Sequence, residues 1–244
     1  MSAEWKDRVH IPYTMRPDAQ ISLKGDKDWR VDPVWAYAIA AACWSGFAIM
    51  AWLVVHARTG SLDEAGLLLW RTESTPIPSG SGSLTEFMQG ITILGGIPAR
   101  SLAAVLAILS LVLLSRAREA ALLGMAVIAG WLVNSGMKWI FGRARPDIVP
   151  YLTEAGGFGF PSGHSFNSAV VYFGIALAFA AISKSAAVRI AMIALAAGLS
   201  LTIAWSRVWL GVHFPSDIIA GWLAGTGWIF LAHALLSRQE GMKP

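Results

Sequence analysis

Charge is scarce in this chain of 244 residues. Only 14% of them are charged and 55% are hydrophobic, with a mean hydropathy of +0.56. A soluble domain carries roughly 25% charged residues, so a water-soluble globule is excluded and an integral membrane protein is expected. Cysteine is nearly absent. Cys43 stands alone inside an apolar run, which excludes in-chain disulfides and thiolate metal sites. No short apolar segment with a small-residue cleavage site follows the first charges, so residues 1–32 do not read as a signal peptide. No repeat of convincing period is present, and no linker is long enough to set apart a second domain. The pI near 9.5 suggests nucleic acid only superficially, because the basic residues bracket apolar runs and form no patch.

What is abundant is apolar sequence in lengths that match a bilayer. A span needs about 20 residues. The expected spans are 33–57, about 99–115, about 119–138, 163–183, 190–206 and 218–236, with Trp35 as an interfacial anchor of the first. Residues 1–32 mix six bases with six acids and are expected to form a cytoplasmic tail, partly disordered. Residues 33–237 form one six-helix membrane domain, and 238–244 a second cytoplasmic tail. Between the first two spans, 62–70 and 85–94 have mixed faces suited to short amphipathic helices on the membrane surface. Ser79 to Ser83 reads as a flexible loop between them. Arg100, near the start of the second span, is expected to snorkel outward.

Orientation follows from the cations. With both termini inside, twelve lie on the inner side: Lys6, Arg8, Arg16, Lys24, Lys27, Arg30, Arg116, Arg118, Lys184, Arg189, Arg238 and Lys243. Seven lie outside: Arg58, Arg71, Arg100, Lys138, Arg143, Arg145 and Arg207. The positive-inside rule favours that arrangement. Helix parity then puts the loop after span three, the start of span four and the loop after span five on one outer face.

Those three places hold the residues that an apolar chain has least reason to carry. They are Lys138 with Arg145-Pro146, then Pro161-Ser162-Gly163-His164, then Ser206-Arg207 with His213 and Asp217. Ser162 suits a helix N-cap, and the free N–H groups of a helix start attract an anion. With the cations Lys138, Arg145 and Arg207, that start matches a phosphate. Asp217, four residues after His213 and in the first turn of a helix opened by Pro215, can fix the imidazole tautomer with Nε2 free. His213 is therefore the candidate nucleophile and His164 the candidate general acid. Asn134 and Asn167 are expected to bond between helices, Asp147 to cap or brace Arg145, and His10, His56 and His233 to be incidental. Two histidines and an aspartate could also hold a metal, but three cations would repel a divalent ion. No metal or other cofactor is expected.

At these residues the chain resembles the type 2 phosphatidic acid phosphatase (PAP2) family, which includes lipid phosphate phosphatases and vanadium haloperoxidases. The family pattern of a lysine, six residues and Arg-Pro is met by Lys138 to Pro146. Pro-Ser-Gly-His is met by Pro161 to His164. Ser-Arg, five residues, a histidine, three residues and an aspartate are met by Ser206 to Asp217. The resemblance implies a bundle of six transmembrane helices and a metal-independent phosphatase that works through a phosphohistidine. It implies Lys138, Arg145, Ser162, Gly163 and Arg207 as phosphate ligands, His213 as nucleophile, Asp217 as its partner and His164 as acid. The expected substrate is a lipid phosphomonoester or pyrophosphate: undecaprenyl pyrophosphate, phosphatidic acid, phosphatidylglycerol phosphate or a lipid A phosphate. The expected setting is a bacterial-type inner membrane, with the site on the extracytoplasmic face and no nucleic-acid partner. A haloperoxidase is disfavoured by the six spans. A transporter or flippase would need ionisable residues or broken helices near mid-membrane, and the spans hold almost no ionisable residues away from their ends.

Overall fold

The computed structural model describes Trp29, residues 31–71, Pro78 and residues 82–238, with the side chains of 236–238 set aside. The expected tails fall almost wholly outside this range. All the regular elements within it are helices: α1 (Pro33–Val55), α2 (Gly60–Leu68), α3 (Gly82–Gly95), α4 (Ile97–Leu113), α5 (Ala117–Phe141), α6 (Gly163–Ile182), α7 (Ala186–Trp209) and α8 (Pro215–Arg238). Five of them are long and apolar enough to cross a membrane, and the bent pair α3–α4 makes a sixth span if taken as one. The chain is an all-α, multi-pass membrane protein.

Local chemistry sets the helix ends. Asp32 caps α1 by accepting from Val34 N at 2.7 Å, ahead of Pro33 at the first helical position. Ser162 and Ser185 cap α6 and α7 in the same way. Gly142 ends α5 with φ +55°, a conformation glycine adopts without a Cβ clash.

Most of the packing runs through α6 and α8. In a bilayer, helices associate by close van der Waals contact, so small residues line their interfaces. Ala36 and Ala40 of α1 and Ala220, Ala224 and Ala234 of α8 are buried in one cluster. Gly221 of α8 lies so close to α6 that an added Cβ would sit 2.6 Å from Ser162 O. Gly225 meets the Phe166 backbone in the same way. The large exposed side chains, among them Trp52, Leu113, Trp139 and Ile190, point outward, where lipid would cover them.

Residues 62–68 fall in α2 and 85–94 in α3, helical as expected, whereas 69–70 form a turn after α2. Gly82 and Ser83, expected as loop, begin α3. The finding that matters for the site is the junction of α3 with α4, which bends by 53° at Gly95–Gly96. A broken helix frees carbonyls that must find donors in an apolar setting. Tyr172 Oη donates to Leu94 O at 2.7 Å and Arg100 Nη1 to Gly95 O at 3.0 Å. Arg100 does not snorkel outward. It is buried, 8% exposed, because its guanidinium turns back to the break.

Candidate active site

The last turn of α7 builds the centre of the site. Gly211 N donates to Val208 O and Val212 N to Arg207 O, with Gly211 at φ +77°. This is the Schellman pattern, in which a left-handed glycine reverses the chain at a helix end. The reversal explains the spacing from Arg207 to His213: His213 N comes back to Arg207 O at 3.3 Å. Pro215 then opens α8, and Asp217 in its first turn faces His213.

His213 Nδ1 lies 3.3 Å from Asp217 Oδ2, and Arg145 Nη1 lies 3.0 Å from His213 Nε2. Arginine only donates. Nε2 therefore carries the lone pair, and Nδ1 carries the proton toward the carboxylate. Burial, reinforced by the charges of Arg145, Lys138 and Arg207, holds this imidazole well below its ordinary 6.5. It is neutral at physiological pH.

The cations converge from separate elements. Arg145, in the loop after α5, also donates to Val212 O, Gly157 O and Gly156 O at 2.8, 3.1 and 2.8 Å. It thereby ties the 156–157 turn to the 212–213 turn. Lys138 Nζ donates to Phe158 O at 2.6 Å, and its stem lies against Gly163. Arg207 Nη1 donates to Thr92 Oγ1 of α3 at 2.7 Å, while its buried Nε has no hydrogen-bond partner. Ser162 is fully buried and caps α6, and its N–H donates to Asp217 O at 3.0 Å. His164, in the first turn of α6, feels Arg207, His213, Arg100 and Arg145 electrostatically. All eight candidate residues, Lys138, Arg145, Ser162, Gly163, His164, Arg207, His213 and Asp217, thus gather at one end of the bundle.

Several details differ from the sequence reading. Asn167 donates to Gly163 O within its own helix. Asn134 does reach across, its Oδ1 beside Gly163, with Nδ2 buried and unpaired. Asp147 is exposed, and Arg145 takes its acceptors from backbone carbonyls and His213.

Two residues went unremarked in the sequence. Arg143, counted there only as an outer cation, donates to Asp217 Oδ1 at 2.6 Å and to Asp63 Oδ2 of α2 at 2.7 Å. Its guanidinium stacks 4.5 Å from the centre of the Phe214 ring. Asp63 is 1% exposed and accepts from Ser216 N and Oγ at 2.9 and 2.8 Å. An acid at the start of the Leu62 to Trp70 stretch was the available signal, since an acidic group inside an apolar protein needs a cationic partner.

This fold and site define the class. Residues 118–240 match the model of the PAP2 superfamily, and the chain belongs to that family. It is 38% identical over 101 residues to phosphatidylglycerophosphatase B of Bacillus subtilis (strain 168), over 41% of this chain and 49% of that protein. It is 32% identical over 130 residues to a lipid A 4'-phosphatase of Bacteroides thetaiotaomicron, over 48% and 54% respectively. The chain thus spans about half the length of these curated relatives. Among solved structures, the transmembrane PAP2-type phosphatidylglycerolphosphate phosphatase of Bacillus subtilis superposes with a TM-score of 0.69 at 25% identity. That match covers 84% of this chain and 97% of the other.

Proposed function

We propose that the chain is a membrane lipid phosphatase that transfers the substrate phosphoryl group to His213 and then to water. The observation that carries this reading is the two-sided hold on His213, with Asp217 at Nδ1 and a cationic donor at Nε2. A phosphate oxygen is a stronger acceptor for Arg145 than an imidazole nitrogen. A bound phosphate would therefore take over that hydrogen bond and bring phosphorus in front of the freed lone pair. Lys138, Arg145, Arg207 and the N–H groups at the start of α6 neutralise the equatorial oxygens.

The Nε2–P bond forms as the P–O bond to the lipid breaks, and His164 gives its proton to the departing oxygen. Water then attacks the phosphohistidine, His164 takes the water proton, and phosphate leaves. Asp217 holds the charged imidazole throughout. The reaction balances as lipid phosphate plus water giving lipid alcohol, or lipid monophosphate, plus inorganic phosphate.

In this reading both termini lie in the cytoplasm, the chain sits in a bacterial-type inner membrane, and the site opens at the extracytoplasmic face. The lipid tail is assigned to an apolar groove of about 640 Å³ between α7 and α8, lined by Trp205, Pro215, Ile218 and Trp222 among others, in which Pro215 lies two residues from His213. The test is phosphate release in detergent with EDTA, over undecaprenyl pyrophosphate, phosphatidic acid, phosphatidylglycerol phosphate and lipid A. The wild type should release phosphate from at least one lipid and form an acid-labile phosphoenzyme. His213→Ala should do neither while still inserting in membranes. Substantial turnover by that variant refutes the mechanism.

A further inference from the structure

Arg100 is the cation that the phosphate cradle does not account for. It lies outside the three motifs and is 8% exposed. Its one side-chain hydrogen bond among the described residues is to Gly95 O, and no carboxylate there pairs with it. A buried charge without a counterion is costly in an apolar protein and marks a functional position. The helix break fixes where it sits. Gly95, whose carbonyl holds Arg100, packs against the His164 ring so tightly that an added Cβ would lie 2.8 Å from His164 Cδ2. Arg100 and His164 therefore flank the same backbone group, and each lies within electrostatic reach of the other.

In the phosphatase reading, His164 serves the departing oxygen, whereas His213, Lys138 and Arg145 surround the phosphoryl group being transferred. A cation beside His164 thus stands on the leaving side of the scissile bond. A plain lipid alcohol presents a single departing oxygen, which His164 already serves as acid, and leaves Arg100 little charge to neutralise. If the leaving group were itself a phosphate, its non-bridging oxygens would need such a donor, on the phosphorus next to the oxygen that His164 protonates.

We propose that Arg100 forms a leaving-group subsite for a second phosphate, so that the preferred substrate class is a lipid pyrophosphate. This inference rests on the phosphatase reading above. In the reaction, Nε2 bonds to the terminal phosphorus and the bond from that phosphorus to the bridging oxygen breaks. The lipid monophosphate departs with its negative charge held by Arg100. Water then releases inorganic phosphate from His213.

The experiment compares a prenyl pyrophosphate with the prenyl monophosphate of identical tail, in detergent, by phosphate release. Wild type should favour the pyrophosphate in kcat/KM by about 10-fold or more, the value of one charge-assisted hydrogen bond. Arg100→Gln should lower kcat/KM for the pyrophosphate about 10- to 100-fold and change the monophosphate less than about 3-fold. Arg100→Lys, which keeps the charge, should retain most of the preference and guards against a folding defect in the glutamine variant. Inorganic pyrophosphate should inhibit wild type more tightly than orthophosphate, and that gap should close in Arg100→Gln. Equal losses on both substrates, or a wild type that prefers the monophosphate, overturn the subsite while leaving the phosphatase reading intact. A wild type that releases phosphate from neither prenyl lipid but does so from another of the four lipid classes also overturns the subsite alone, and one that releases none from any of them overturns both.

Discussion

Removing Arg143 should cost stability and catalysis together, and Asp63 should account for much of the loss. The guanidinium bridges two carboxylates whose side chains are 2% and 0% exposed, at 2.7 and 2.6 Å. Replacing a buried pair with apolar residues is often neutral, but deleting one partner leaves a stranded charge and costs about 3–5 kcal/mol. Arg143 itself is 20% exposed, which admits some water, so the lower end applies and about 3 kcal/mol is expected for Arg143→Ala. At 2–4 °C per kcal/mol for a chain of this size, the melting temperature in detergent should fall by about 6–12 °C.

A double-mutant cycle isolates the pair. Asp63→Asn removes one stranded charge and keeps an acceptor for Ser216. The double variant should therefore be more stable than the sum of the single effects predicts, by about 1–3 kcal/mol. The activity readout separates positioning from bulk stability. Below the melting point of each variant, Arg143→Ala should lose at least about tenfold in kcat, because Asp217 no longer has its second oxygen fixed while it orients His213. A melting shift under about 2 °C, or additive single effects, would sink the argument that Arg143 couples α2 to Asp217.

Two other expectations follow from the same geometry. His213 is held neutral by burial and neighbouring cations, so if it is the nucleophile as proposed, its acid limb of kcat/KM should lie below pH 6.5. In the unfolded chain the imidazole titrates near 6.5 and binds a proton that the folded one refuses. Stability should therefore fall as pH drops through 6.5, and His213→Gln should flatten that fall. A wild-type Tm that rises from pH 7.5 to 5.5 contradicts the assignment. Gly221→Ala forces a Cβ to within 2.6 Å of Ser162 O and should destabilise by about 1–3 kcal/mol with loss of activity. Gly136→Ala, which has nothing within 4 Å, should be silent in both assays. Equal behaviour of the two would remove the α6–α8 approach as the constraint on the site.

Much of this was legible because membrane chemistry makes charge informative. In a chain with 14% charged residues, each ion near an apolar run needs a reason, and three clusters on one face supplied it. The spans followed from length and hydropathy alone. What escaped was the part carried by segments of mixed polarity. Asp63 and Thr92 lie in stretches that read as amphipathic surface helices, and nothing local says that α2 docks on Ser216 or that α3 hands a hydroxyl to Arg207. Arg143 was hidden by its neighbour. A motif drawn through Lys138 and Arg145 gives each cation between them no separate role, yet Arg143 holds the aspartate and Arg145 faces the histidine.

The break between α3 and α4 shows why Arg100 could not be placed from sequence. Gly95, Gly96 and Pro98 read as the end of one element before the next, which makes Arg100 the first cation of a new span and a natural snorkeller. In the fold, the break lies inside the bundle, against His164. Its freed carbonyls draw Arg100 and Tyr172 inward to satisfy Leu94 and Gly95. Straightening the helix would satisfy those carbonyls without Arg100 and leave the cation no reason to be buried. The glycines therefore do two things at once: they open the helix, and they bring a positive charge to the face of His164, the proposed general acid. Irregular backbone in a membrane protein persists where it lines a functional cavity. On that ground the break belongs to the proposed active site as much as the three motifs do.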